Sequence, residues 1–370
     1  MKFACIASIL PTLTLGVTIE QENNALALIS DLWNYEQGNL KLTPNAVRFG
    51  FHSCFGLGCN GCIDFNNGAN AGLQNLYGIL NEKYELLKET GVPKNDKVMS
   101  RADFWALASW NAMLQTLPYD RSATETVFEP IINEILQKYK YQYGRVDCST
   151  SPKADYPLIP FPDERRGVDE IRRCFGLRSI FGFTDQELVA LIGGGHSLGE
   201  GHLDASGFEG PWDDTAETLD ENYVREMHIY EWEQKKNPKG HWQYYRKDFE
   251  PLNVSSLQLN TDYALVKELT LEDPSEASDG KVTEECLVIN KDNTPGNDNC
   301  PSSEFGFWGQ FYSENGPALV RDFARVYDRM LKSTTEGKIL TDAGSDVSDS
   351  SVLHGFSTLT LIVSVLYLLF

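Results

Sequence analysis

Arg48-Phe49-Gly50-Phe51-His52 and Gly193-Gly194-Gly195-His196-Ser197-Leu198-Gly199 are the two stretches on which the reading of this chain turns. In the first, Arg48 and His52 stand four positions apart, so on a helix they leave one face as a cation beside an acid–base imidazole. Thr43-Pro44 ahead of them reads as an N-cap followed by proline at the first helical position, which predicts a helix through both residues. In the second, a histidine follows an apolar run and three glycines, where backbone can come close to a large flat ligand. Thr184-Asp185-Gln186-Glu187 is a capping-box pattern that launches this run, so its helix should end near His196. The pair supplies one histidine able to move protons and one able to hold iron.

Outward from these segments the pattern stays helical. Ser100-Arg101-Ala102-Asp103 is a second capping-box pattern, and Leu319, Val320, Phe323, Val326, Tyr327 and Met330 recur at helical spacing on a helix expected simply to pack. Alternating apolar strands are scarce and no internal repeat is visible, so the fold class is mostly α. Residues 146–166, rich in Pro, Ser and Asp, read as the join between a first lobe reaching to about 150 and a second starting at about 165. Residues 273–303 read as an acidic surface loop. A Cys286–Cys300 disulfide would close it, worth about 3 kcal/mol in the chain-entropy model.

Both ends carry sorting patterns. Met1-Lys2, the apolar run Phe3 to Leu15 and the small-residue pattern Thr14-x-Gly16 read as a secretory signal peptide over 1–16. Residues 356–370 form a 15-residue apolar tail, short of the ~20 that a spanning helix needs. Small residues at 343–345 and a polar spacer precede it within 336–355, the order of a glycolipid (GPI) anchor signal; a tail-embedded helix is the alternative. Between these ends, 17–335 is read as one two-lobed domain. Of eight cysteines, Cys5 falls in the signal; Cys54, Cys59, Cys62, Cys148, Cys174, Cys286 and Cys300 imply up to three disulfides and one free thiol in an oxidising compartment. Asn253-Val254-Ser255 is a glycosylation sequon. The net charge of −21 argues against nucleic acid or an anionic membrane surface as partner.

Arg-x-x-Phe-His at 48–52, Asn-Ala-Gly-Leu at 70–73, Gly-Gly-His-Ser-Leu-Gly at 194–199, Ser-Gly-Phe-Glu-Gly-Pro-Trp at 206–212 and Thr-Asp-Tyr-Ala-Leu at 261–265 occur in that order. With these five motifs the chain resembles the non-animal haem peroxidase superfamily, which holds cytochrome c, ascorbate and secreted plant and fungal peroxidases. The resemblance runs from about residue 40 to about 330. It implies a two-lobed helical fold with haem b between a distal and a proximal helix, and a monomer is the expected state. The implied reaction reduces hydrogen peroxide to water with oxidation of a small reductant.

By that similarity His52 is the distal residue that takes a proton from peroxide and returns it to the departing oxygen. Arg48 stabilises the charge that develops as the O–O bond breaks. Asn70 accepts a hydrogen bond from the other ring nitrogen of His52 and fixes its tautomer. His196 is the axial iron ligand, Asp262 the carboxylate on its far nitrogen, and His202 lies where a relative has histidine near a haem propionate. Trp212 matches the proximal tryptophan of cytochrome c and ascorbate peroxidases, which in the first of these can hold a radical. Phe51 departs from those relatives, which carry tryptophan there, and resembles the secreted enzymes instead.

Ser197, Asp213, Thr215, Thr218 and Asp220 resemble the proximal calcium site of secreted fungal peroxidases, with potassium as the alternative occupant. A distal calcium site is not expected, because Ser53 and Asn60-Gly61-Cys62 stand where its aspartates would be. Cys54, Cys59 and Cys62 suggest disulfide stapling of that loop rather than zinc. Ala205 stands where ascorbate peroxidases carry the arginine used for ascorbate, which argues against ascorbate; small phenols at a solvent-reachable haem edge are the default expectation. The competing reading is a haem-binding surface module without turnover, and the retained Arg48 argues against it.

Overall fold

A computed structural model describes residues 16–33, 42–55, 58–90, 98–118, 127–148, 161–176, 179, 181–248, 255–275, 277–283, 301–333 and 340–344. The signal peptide up to residue 15, the sequon at Asn253, the Cys286–Cys300 pair and the C-terminal tail lie outside the described residues. So do residues 149–160, the middle of the stretch expected to join the lobes.

The first lobe is built from α1 (Ile19–Trp33), α2 (Leu42–Phe55), α3 (Gln74–Thr90), α4 (Arg101–Gln115) and α5 (Glu129–Lys138). Helix α2 begins at Leu42, so Thr43 lies inside its first turn rather than capping it. Pro44 still sits where the backbone N–H has no partner within the helix, which is why it does not break the turn. Ser100 caps α4 as its sequence suggested, its hydroxyl accepting from the Asp103 N–H at 2.9 Å. Helix α4 is buried nearly throughout and packs against α2. Their contact is close: a Cβ at Gly50 would run into Ser109 and the Tyr327 hydroxyl. That hydroxyl donates to the Val47 carbonyl at 2.9 Å, so α2 is pinned from both sides and the rows carrying Arg48 and His52 have fixed directions.

The second lobe holds α6 (Val168–Phe175), α7 (Asp185–Gly195), α8 (Asn222–Ile229), the single turn α9 (Asn260–Tyr263), α10 (Gly306–Glu314) and α11 (Gly316–Lys332). The capping box at Thr184 and Glu187 is complete, and α7 ends with His196 as its C-cap. The glycine run before it has a different use from the one its sequence suggested. A Cβ at Gly193 would meet Val224 of α8 at 2.8 Å, and one at Gly194 would strike the Phe323 ring of α11. These glycines let three helices approach closely beneath His196, rather than opening backbone to a flat ligand. Helix α11 buries Leu319, Val320, Phe323, Val326, Tyr327 and Met330 as its spacing implied.

Strands are few but matter. β1 (Glu200–Gly201) pairs antiparallel with β2 (Gly210–Pro211), Glu200 opposite Pro211 and Gly201 opposite Gly210. β3 (Trp232–Lys236), β4 (Trp242–Arg246) and β5 (Leu257–Gln258) form an antiparallel sheet, with Gln234 opposite Tyr244. The β3–β4 turn closes through Asn237 and Gly240, whose φ of 83° suits glycine. This hairpin gave no alternating signal because β4 is buried at four successive positions. The mostly helical architecture expected from sequence is therefore present, with a two-stranded ribbon and a three-stranded sheet added.

Two disulfides, Cys54–Cys59 and Cys62–Cys148, staple the loop after α2, and Cys174 is free and buried. The loop was thus read correctly as disulfide-tied.

Candidate functional site

Helix α2 delivers Arg48 and His52 from one face, and the loop beyond it supplies their partners. A 3-10 turn over Gly68–Asn70, capped by the Asn67 side chain on the Ala69 N–H at 3.0 Å, carries Asn70. The Asn70 side-chain N–H donates to the Asp64 carbonyl at 2.7 Å, which turns its oxygen toward His52 Nδ1 at 2.9 Å. An amide oxygen only accepts, so Nδ1 carries the proton and Nε2 keeps its lone pair. Arg48 donates to the Ala69 and Ala71 carbonyls at 3.0 and 3.1 Å, holding the guanidinium beside the same turn.

Burial dominates the electrostatics. It pushes the Arg48 guanidinium down to about 10, still charged at neutral pH. His52 is held well below the usual histidine value, first by burial and then by the Arg48 charge, with the Asn70 hydrogen bond pulling the other way. A neutral imidazole with a free Nε2 is a base ready to take a proton.

His196 sits at the end of α7, its N–H satisfied by the Ile192 carbonyl at 2.8 Å. Its Nδ1 meets Asp262 Oδ1 at 2.9 Å, while the Leu259 N–H donates to Asp262 Oδ2 at 2.8 Å. The His196 side chain keeps 36% exposure where Asp262 keeps 1%, so the carboxylate is shut in and the opposite edge of the imidazole is open. The β1–β2 ribbon then folds Trp212 back: its N–H donates to the Gly199 carbonyl at 3.1 Å. The indole stacks flat on His196, rings 3.9 Å apart and 6° from parallel. His196 makes a further, smaller contribution that lowers the proton affinity of His52.

The structure therefore brings together Arg48, His52 and Asn70 in one group, and His196, Asp262 and Trp212 in another. Phe51 stacks on Phe55 at 5.1 Å, lies 5.7 Å from Phe175 and meets the His52 ring in a T-shaped contact at 5.5 Å. His202 reaches neither histidine group; it is mostly exposed, with Nε2 3.9 Å from Glu200.

The residues proposed for a cation are partly gathered. Thr215 Oγ1 lies 3.4 Å from Asp213 Oδ1 and donates to Asp220 Oδ2 at 2.9 Å. Asp213 is buried with Oδ2 unpartnered, and burial beside Asp220 pushes its carboxyl up to about 9. Ser197 is buried but donates to the Gly194 carbonyl at 3.0 Å, and the Thr218 N–H closes a turn on Thr215. Among the described residues no cluster of three or more His, Cys, Asp or Glu side chains is arranged for a metal. A cleft of about 590 Å³ opens nearby, lined by Glu200, His202, Asp204, Glu209, Asp213 and Asp214.

Two residues at the site carried no signal in the sequence. Phe161 lies 4.7 Å from the His52 ring. Tyr223 on α8 is fully buried with its hydroxyl 3.4 Å from His196 Nδ1. Both reach the site through long-range packing, which no local pattern records.

The family model described as peroxidase matches residues 28–273. The chain belongs to the peroxidase family. A protein of Mycosarcoma maydis named as a candidate haem-binding peroxidase is 28% identical over 270 residues, covering 71% of this chain and 60% of its own length. The cytosolic L-ascorbate peroxidase 1 of Oryza sativa subsp. indica is 44% identical over 84 residues, 23% of this chain and 31% of the relative. A mitochondrial cytochrome c peroxidase of Pyricularia oryzae is 33% identical over 138 residues, 37% of this chain and 35% of the relative. Each match thus spans less than two thirds of the relative concerned.

For a peroxidase, the question is whether these residues fit haem. The open edge of His196, with its other ring nitrogen held by the shut-in Asp262, is a donor that would suit the iron of haem. The fit is good.

Proposed function

We propose that the chain is a haem-dependent peroxidase that reduces hydrogen peroxide to water while oxidising a small phenolic-type donor. One observation carries the reading: two histidines, each locked at Nδ1 by a different oxygen, with Nε2 left free on both. His196 would hold haem b, which when bound would supply the redox-active iron that peroxide reduction needs. His52 Nε2 would accept a proton from one peroxide oxygen and return it to the other, so that water leaves instead of hydroxide. Arg48, charged and desolvated, faces the negative charge that grows on the leaving oxygen. Asp262 keeps the His196 Nδ1 proton engaged and the ring fixed.

Ala205 and the acidic cleft beside Trp212 favour a neutral or cationic donor over an anion such as ascorbate. Steady-state turnover with phenols, ascorbate, manganese and a cytochrome separates these classes. Phenol oxidation with no activity on ascorbate supports the reading, and the reverse order refutes it.

Calcium, with potassium as alternative, is proposed at Asp213, Thr215 and Asp220, with Ser197 and the Thr218 segment completing the shell. The buried, unpartnered Asp213 oxygen supports it. A cell-surface location through a lipid anchor is proposed from the sequence of the two ends, and the two disulfides favour an oxidising compartment. Release from intact cells by a phosphatidylinositol-specific phospholipase tests the anchor; retention on the cells counts against it.

A further inference from the structure

Phe161 lies across the last turn of α2, its ring centroid 4.7 Å from that of His52, 5.2 Å from Phe55 and 6.3 Å from Phe51. The tilt to the imidazole is 31°, so the phenyl covers a face of His52, while Phe51 meets the same ring in a T-shaped contact. The Asn70 oxygen engages Nδ1 at 2.9 Å. A single hydrogen bond still lets an imidazole swing about its Cβ–Cγ bond, a soft torsion. A ring packed on its face opposes that swing. Phe161 is itself held. Two residues on, the Asp163 N–H donates to Glu170 Oε1 of α6 at 2.8 Å, and the Asp163 carboxylate accepts from Arg165 Nε and Nη2 at 2.8 and 2.9 Å. Arg165 also donates to the Ser278 carbonyl at 3.0 Å, and its own carbonyl accepts from the Asn260 side chain of α9 at 2.8 Å.

We propose that Phe161 is a positioning residue for His52: packed on the imidazole face, it keeps the Nδ1 bond to Asn70 made and Nε2 aimed at the place where peroxide must bind. The pairing of Asp163 with Arg165 leaves the phenyl as what this segment presents to His52. The charged groups that act on the imidazole come from elsewhere, Arg48 on α2 and His196 at the end of α7, and both lower its proton affinity. Burial lowers it most, and the phenyl is part of what keeps water from the ring. A base held at one angle needs no reorientation at the moment of proton transfer, and a small misplacement is costly.

The inference rests on the proposed function and is tested on the full chain in two arms. The first records ring-nitrogen NMR of the haem-free protein with nitrogen-15 histidine, where wild-type His52 shows one tautomer, protonated at Nδ1. In Phe161→Ala the two ring shifts draw together as the ring swings and the Asn70 bond is lost. The second arm follows the peroxide reaction of the haem-loaded protein against pH. In Phe161→Ala the acid limb moves upward as water reaches His52, and the plateau rate falls roughly tenfold or more. Phe161→Tyr, which keeps the flat ring, retains the wild-type tautomer, limb and rate. Phe161→Leu fills most of the space without a flat face, moves each readout the same way by less, and serves should the alanine variant fail to fold. An unchanged tautomer and an unchanged limb in the alanine and leucine variants overturn the assignment. A wild type that does not bind haem overturns the haem reading instead, and the haem-free tautomer measurement still decides the role of Phe161.

Discussion

The His196 imidazole and the Trp212 indole lie face to face, 3.9 Å apart and 6° from parallel. The contact is set by backbone, since Gly199 accepts from Trp212 N–H and donates to the Ala216 carbonyl at 2.7 Å. Under the proposed function, a ring so fixed would pass electrons toward His196. Trp212→Phe keeps an aromatic ring in the stack but is far harder to oxidise. Turnover should fall roughly tenfold, about 1.4 kcal/mol in barrier, with any donor that enters through Trp212, and stay unchanged with donors reaching the haem edge. Steady-state rates across the donor series check this. Unchanged turnover with every donor makes the tryptophan structural.

The acid limb of the peroxide reaction reports His52. Its folded value lies well below the usual histidine range through burial and the Arg48 charge, so it stays a neutral base as pH falls past about 6.5. The second-order rate with peroxide should be flat through that region and drop only in stronger acid. Arg48→Leu removes one of the depressing influences and moves the limb upward. Stopped-flow rates against pH check both directions.

Much of this site was legible because its two ends are local. Arg48 and His52 share a helix face, and His196 follows a capped apolar run whose end the capping box announces. Asn70 and Asp262 approach their histidines from 18 and 66 residues away, and only the resemblance to known peroxidases assigned them. Tyr223 looks like any core residue of a short amphipathic helix until α8 is packed under α7. The glycine run was readable as close approach, but not what approaches: Phe323 and Val224 come from helices later in the chain. The β3–β4 hairpin escaped because both faces of β4 are covered.

The acidic pair at Asp213 and Asp220 should make stability depend on pH and, if the proposed cation binds there, on calcium. Burial raises their carboxyls to about 9 and about 6. Below about pH 4 both are protonated folded or unfolded, and their burial costs least. As pH rises the unfolded chain ionises first, so cation-free protein loses stability progressively until the folded carboxyls have ionised too, near about 9 for Asp213. A cation needs the ionised forms, so calcium should raise Tm more at about pH 8 than at about pH 5. Asp213→Asn should flatten the slope and abolish the calcium effect. Thermal melts with chelator or calcium check it.

Asp103 and Arg145 form an ion pair in the first lobe, 2.8 Å apart with side chains 3% and 1% exposed. Arg145 also donates to the Leu331 carbonyl at 2.6 Å, tying α4 to the end of α11. Asp103→Ala strands that guanidinium and should cost about 3–5 kcal/mol. Denaturant unfolding measures it, and a loss below about 1 kcal/mol would show the pair to be replaceable.

The most direct test mixes haem-loaded protein with equimolar hydrogen peroxide and follows the Soret band, wild type beside His52→Leu. The wild-type band should shift rapidly, and the variant should bind haem equally but react ~100-fold more slowly or worse, the usual worth of general acid–base help. Equal rates in the two proteins, or a wild type that holds haem and leaves peroxide untouched, would contradict a peroxide-cleaving site between His52 and His196.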